Sequence, residues 1–182
     1  MKLLKIGLVD ISETFNNFYA LDEFERLCLA TIEAKKNQLI LPKPGTIDQG
    51  EPWKKKKDIP VNVSCFMSGG NLPKQYAAEL RVFLAKSFDL RSCYMSGNFY
   101  YPPGGFMGWH TNSNNPGWRC YVTYAAEKNK SWFDYIQDGE IKSSPDRKGF
   151  TARAFFVDKT NLFWHRVRSD THRLSFGFYG RK

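Results

Sequence analysis

Two histidines and an arginine, far apart along the chain, are the residues here whose types could together hold a metal ion and an anion. His110 lies in NFYYPPGGFMGWHTN, residues 98–112, where an aromatic run and a Pro-Pro-Gly-Gly turn lead into a histidine followed two positions later by Asn112. Side chains at i and i+2 of a strand project to one face, so a strand starting after Gly104-Gly105 would present His110 and Asn112 together. A second histidine, His165 in LFWHRV, supplies the partner. Two neutral imidazoles and one short oxygen-bearing side chain form a facial donor set for iron that leaves coordination positions open. Further on, parity along HRLSFGFYG puts Arg173, Ser175 and Gly177 on one face and His172, Leu174, Phe176 and Phe178 on the other. The apolar set belongs against a packing layer, which turns Arg173 inward, and a buried guanidinium requires an anion because desolvating it alone is costly. A three-histidine site using His172 would turn Arg173 outward and is disfavoured for that reason.

Read together, these residues resemble the 2-oxoglutarate- and Fe(II)-dependent oxygenase superfamily over residues 92–180. Asn98-Phe99-Tyr100 with Pro102–Gly105 looks like the Asn-x-Tyr-x-Pro-Gly lead-in of the nucleic-acid-repair branch, with one residue inserted. The resemblance implies His110 and His165 as iron ligands. It also implies Arg173, Ser175, Tyr100 and Asn98 as contacts to 2-oxoglutarate, with Arg173 on the far carboxylate. Where the superfamily has an acidic ligand, this chain has Asn112. Direct ligation by the amide oxygen is expected, with Asp134 and Asp170 as substitutes to consider. The implied activity is hydroxylation of a substrate with release of succinate and carbon dioxide. The alternative is a catalytically inactive jelly-roll binding protein that keeps the anion pocket.

The elements that must position these groups are legible in the patterning. LDEFERLCLATIEAKKNQ, 21–38, has helical apolar spacing, acids early and lysines late. A second helix is expected from Pro73 to Phe88. VNVSCFM, 61–67, alternates as a strand, and residues 41–60, with their prolines, Trp53 and Lys54–Lys57, form a long loop. From Ser92 onward strands are expected at 92–100, 106–112, 118–124, 131–136, 151–157, 162–167 and 171–179, with a weak one at 140–142. The fold class expected is α+β, a double-stranded β-helix or jelly roll behind an N-terminal layer of two helices. At 182 residues the chain suits a single domain, with 1–90 as support and 91–182 as barrel.

Composition narrows the setting. The chain is 42% hydrophobic without an apolar run long enough for a bilayer, and its first ten residues are too short and polar for a signal peptide, so a cytoplasmic protein is expected. Cys28, Cys65, Cys93 and Cys120 make no paired spacing and read as reduced, buried thiols. The net charge of +9 is uneven: residues 1–90 hold 13 basic and 11 acidic residues, residues 91–182 hold 14 and 7. The half with the histidines therefore favours anionic ligands, either the co-substrate and an anionic substrate or a nucleic acid. Trp109, Trp118 and Arg119 flank the histidine strand and could line the mouth of the site, with packing of the two tryptophans against the sheet as the default expectation.

Overall fold

The computed structural model describes residues 7–41, 65–159 and 162–182. The loop with Trp53 and Lys54–Lys57 and the first part of the strand expected at 61–67 lie outside these residues. In chain order the elements are β1 (Val9–Asp10), α1 (Ser12–Phe15), α2 (Leu21–Lys35), β2 (Cys65–Phe66), β3 (Ser68–Gly69), α3 (Lys74–Phe88), β4 (Ser92–Tyr101), β5 (Gly105–His110) and β6 (Gly117–Ala125). They continue with β7 (Ser131–Gln137), β8 (Glu140–Pro145), β9 (Gly149–Val157), β10 (His165–Ser169) and β11 (Arg173–Arg181).

Among the described residues the strands form two antiparallel sheets, of order β1-β9-β6-β11-β4-β3 and β2-β5-β10-β7-β8. From β4 onward the chain crosses between them at nearly every connection: β4, β6, β9 and β11 belong to the first sheet, and β5, β7, β8 and β10 to the second. This alternation is the jelly-roll pattern, two facing sheets whose inner surfaces enclose one space. No helix among the described residues is long and apolar enough to cross a membrane.

The six-stranded sheet is double-faced. On its outer side Phe24, Cys28 and Ile32 of α2 and Leu80, Leu84 and Phe88 of α3 join Trp118, Val122, Leu174, Phe176 and Phe178 in one buried cluster. The i, i+4 spacing of those helix residues is what lets one helical stripe meet a flat apolar face. Helix α2 carries Asp22 and Glu23 in its first turn and Lys35 in its last, as its dipole favours. Helix α3 stops at Asp89, whose left-handed backbone (φ 53°) lets its N–H bond to the Ala85 carbonyl. On the inner side a second cluster of Tyr101, Phe133, Phe155, Val157, Phe163 and Val167 fills the space between the sheets.

Two irregularities decide what faces inward. Strand β10 pairs with β5 with a register shift between His165 and Val167, which face His110 and Met107 respectively. Two residues of β10 therefore span three of β5, a bulge that turns both Met107 and His110 to the same side despite their odd separation. The second shift lies on β11 between Gly177 and Phe178, opposite Gly97 and Met95.

Candidate active site: two imidazoles in a cationic cavity

A cavity of about 490 Å³ opens between the sheets, with His110, Asn112, His165, Tyr101, Tyr121 and Ser175 among its lining residues. The two imidazole rings lie with centroids 4.1 Å apart, 55° between planes. His110 Nδ1 is 2.8 Å from the Gly108 carbonyl oxygen, and His165 Nδ1 is 2.9 Å from that of Phe163. A carbonyl can only accept, so each Nδ1 carries the proton and each Nε2 keeps its lone pair, the arrangement a metal-binding imidazole needs. Burial pushes the pKa of His110 below the ordinary imidazole value. It pushes that of His165 well below, with the charge of His110 adding to the effect. Both rings are therefore neutral at pH 7. His165, fully buried, is braced by Phe133 and Phe155 at centroid distances of 5.3 and 5.0 Å.

Asn112 reaches the pair by a different route from the one parity suggests. Strand β5 ends at His110, and Asn112 sits in the following turn with a left-handed backbone, φ 57°. Asparagine is among the few residues that adopt this conformation readily. Its Nδ2 lies 3.3 Å from His165 Nε2 and 3.3 Å from the Tyr121 hydroxyl. A half-turn of the amide places its oxygen at the same point, since the two ends are nearly isosteric. These donors fit a divalent ion as two imidazole nitrogens and one amide oxygen. Among the described residues no group of three or more His, Cys, Asp or Glu side chains could hold a metal. Asp134 does not substitute for the missing carboxylate, because Arg166 Nε and Arg168 Nε both hold it at 2.9 Å. Asp170 is exposed, and neither aspartate lines the cavity.

Arg173 points inward as its strand parity requires, and is fully buried. It has a protein partner that sequence reasoning missed. Its Nε donates to Asp146 Oδ2 at 2.9 Å and its Nη2 to Thr123 Oγ1 at 3.1 Å. Asp146 is shared, for Arg153 Nη1 donates to its other oxygen at 2.6 Å. Burial alone would raise the Asp146 carboxyl; Arg173 and Arg153 outweigh it and hold the pKa at about 2. Two buried guanidinium charges thus face one buried carboxylate, leaving a surplus positive charge. Arg173 Nη1 is the visible remainder, buried with no hydrogen-bond partner among the described residues. The Tyr101 ring lies 5.1 Å from this guanidinium, and Ser175 lines the cavity two residues along the strand.

Two of the expected co-substrate contacts face away. Tyr100 pairs with Leu174 and Asn98 with Phe176, both on the helix side of the sheet. The Tyr100 hydroxyl is hydrogen-bonded to His172 Nδ1 at 2.7 Å, and Asn98 Oδ1 lies against the backbone of Gly70. Residues directly opposite in a ladder share a face, so the inward tyrosine must be the one opposite Arg173, and that is Tyr101. Of the residues placed at the mouth, Arg119 does line the cavity. Trp118 packs with the helix-side cluster, and Trp109 lies under the Arg166 guanidinium at 4.8 Å.

Comparison with solved structures places this architecture. A prolyl-4-hydroxylase from Pseudomonas putida superposes with a TM-score of 0.54 at 15% identity, covering 97% of this chain and 93% of that one. OsALKBH1 superposes with a TM-score of 0.50 at 11% identity, covering 97% and 99%. The fold is shared. It agrees with the resemblance to the 2-oxoglutarate- and Fe(II)-dependent oxygenases carried by residues 92–180. No protein-family model matches the sequence, and neither does any curated protein.

Proposed function

We propose that the chain is a 2-oxoglutarate- and Fe(II)-dependent oxygenase, a single jelly-roll domain backed by its two longer helices, that hydroxylates a substrate held in this cavity. One observation carries the reading: two imidazoles whose Nδ1 atoms are tied to carbonyls line one cavity, and Arg173, beside the lining residue Tyr101, keeps an Nη1 with no hydrogen-bond partner among the described residues. His110, His165 and the amide oxygen of Asn112 would hold the iron. With 2-oxoglutarate bound, that centre would supply the oxidising power for C–H hydroxylation at the expense of dioxygen, one oxygen atom of which enters the substrate hydroxyl and the other the succinate, with release of carbon dioxide. The protein's part is positioning. Arg173 Nη1 takes the far carboxylate of the co-substrate, Ser175 and Tyr101 add hydroxyls, and Asp146 keeps the guanidinium fork from rotating. Phe99, Met107 and Val167 give the cavity apolar walls that exclude water.

Asn112 makes the donor set neutral, which weakens the hold on a dication relative to a carboxylate. This is what keeps an inactive binding protein, with the anion pocket but no turnover, as the second reading. Aspartate tolerates the left-handed backbone as asparagine does, so Asn112→Asp tests the ligand without straining the turn. Expected outcomes are iron bound by the wild type, bound about tenfold more tightly or better by Asn112→Asp, and lost from His165→Ala. Calorimetry should show 2-oxoglutarate binding that Arg173→Gln weakens by about tenfold or more. Equal affinity in wild type and Arg173→Gln would remove the co-substrate assignment. Wild-type protein forming no succinate at saturating iron and co-substrate, across a range of substrates, would favour the inactive binding protein.

A further inference from the structure

Arg119 is a second inward guanidinium that the reading above does not use. It is 4% exposed, lines the cavity, and follows the parity of β6 that also turns Tyr121 and Thr123 inward. Nη2 donates to the Asn115 carbonyl at 2.6 Å, and the ring of Tyr179 lies 4.6 Å from the guanidinium carbon. Nη1 is buried with no hydrogen-bond partner among the described residues. Among the described residues no carboxylate lines the cavity to compensate the charge. Arg119 faces Tyr179 across the β6–β11 ladder, whereas Arg173 faces Ala125. Six residues of strand separate the two positions, about 20 Å between α carbons. Arg119 therefore lines the cavity at one end of this strand pair, with the imidazole pair and Asn112 also on its wall, while Arg173 lies at the other end beside the lining residue Tyr101.

We infer that Arg119 anchors an oxyanion of the substrate, so that the molecule oxidised here is a small compound carrying a carboxylate or phosphate. This rests on the oxygenase reading for its chemistry and assigns the substrate class of the same cavity. Three features favour a small anion over a nucleic acid. The guanidinium lines the cavity and is only 4% exposed, the volume of about 490 Å³ suits a small molecule, and the polar neighbours on that wall, Ser96, Asn114 and Asn115, are neutral. A buried, charge-assisted guanidinium contact to an oxyanion, made here through Nη1, is also stronger than a surface one.

The test is to titrate metal-free full-length protein with inorganic phosphate, with and without saturating 2-oxoglutarate, following binding by calorimetry. Wild-type protein should bind phosphate at one site that survives saturation with 2-oxoglutarate. Arg119→Gln should weaken phosphate by about tenfold or more while changing 2-oxoglutarate affinity less than threefold. Arg119→Lys, which keeps the charge and loses the fork, should lie between; if the glutamine variant does not fold, undiminished phosphate binding by the lysine variant overturns the proposal. So does wild-type protein that binds no phosphate. Phosphate displaced by 2-oxoglutarate, with Arg119→Gln losing both, overturns it by assigning Arg119 to the co-substrate. Oligonucleotide binding that depends on Arg119 in place of phosphate binding overturns it in favour of a nucleic acid. Arg119-dependent phosphate binding in a protein that takes up no 2-oxoglutarate would leave the oxyanion anchor standing and remove the oxygenase reading.

Discussion

The two faces of the six-stranded sheet are built from the same strands and obey opposite rules. On the helix side, Leu174, Phe176, Phe178, Val122 and Tyr124 meet α2 and α3 in a cluster that is almost wholly apolar. On the cavity side the alternate residues of the same strands are Arg173, Ser175, Gly177, Thr123, Tyr121 and Arg119. One face gains its stability from apolar area removed from water. The other holds buried charge, and two guanidinium nitrogens there, on Arg119 and Arg173, lack hydrogen-bond partners among the described residues. Polar groups left unsatisfied in an interior are costly, so the contrast separates the part of the molecule that folds it from the part that is poised to bind.

The largest effect that would sharpen this contrast is expected from Asp146→Asn. With the shared carboxylate gone, Arg173 and Arg153 face each other uncompensated, and breaking a buried ion pair in this way costs roughly 3–5 kcal/mol. Thermal unfolding should show it. A loss below about 1 kcal/mol would mean that water already screens the cluster. Next in size is acid sensitivity. The Asp146 carboxyl is depressed to about 2, so its contribution is complete above the ordinary carboxylate pKa of about 4 and declines as pH falls toward 2. That contribution is on the order of 2 kcal/mol, and Asp146→Asn should flatten the corresponding part of the stability curve between pH 4 and 2. An unchanged curve would place the acid-labile group elsewhere.

The smallest effects come from neighbouring tyrosines on opposite faces. Tyr100→Phe removes the hydrogen bond to His172 and should cost about 1 kcal/mol of stability without altering 2-oxoglutarate affinity. Tyr101→Phe should do the reverse, leaving stability nearly unchanged and weakening 2-oxoglutarate by about five- to tenfold. Identical responses from the two variants would break the comparison between the faces.

Much of this architecture was legible in the residues. The strands expected from 92 onward lie within a few residues of β4 to β11, because Gly, Asn, Pro and Asp mark their ends and alternation marks their interiors. The inward arginine followed from the apolar character of Leu174, Phe176 and Phe178. What parity could not show is where it is interrupted. The bulge opposite His165 and Val167 turns His110 inward from a position three residues after Met107, and no local residue announces it. The choice of Tyr101 over Tyr100 depends on the β4–β11 register, which is a property of two strands together. Asp146 was invisible for a similar reason: it lies between β8 and β9, and its partners Arg153 and Arg173 meet it only when the sheets are closed. The short elements β1 and α1 carry too few residues for any periodicity to register.

The placement of β11 has a consequence for how the protein is made. This strand, residues 173–181, follows the other described strands in chain order yet lies in the interior of its sheet, between β6 and β4. Until it is available, Ser92–Tyr101 and Gly117–Ala125 each lack a partner on one side, and such open edges invite pairing with other chains. Its contacts to β4 close a loop of about 80 residues, so the step that completes the sheet is slow compared with local folding. The same insertion brings in Arg173, Ser175 and Gly177. A folding chain would therefore pass through its most aggregation-prone stage before the cavity exists, and acquire sheet closure and the cavity's cationic support in a single event once residues 173–181 pair.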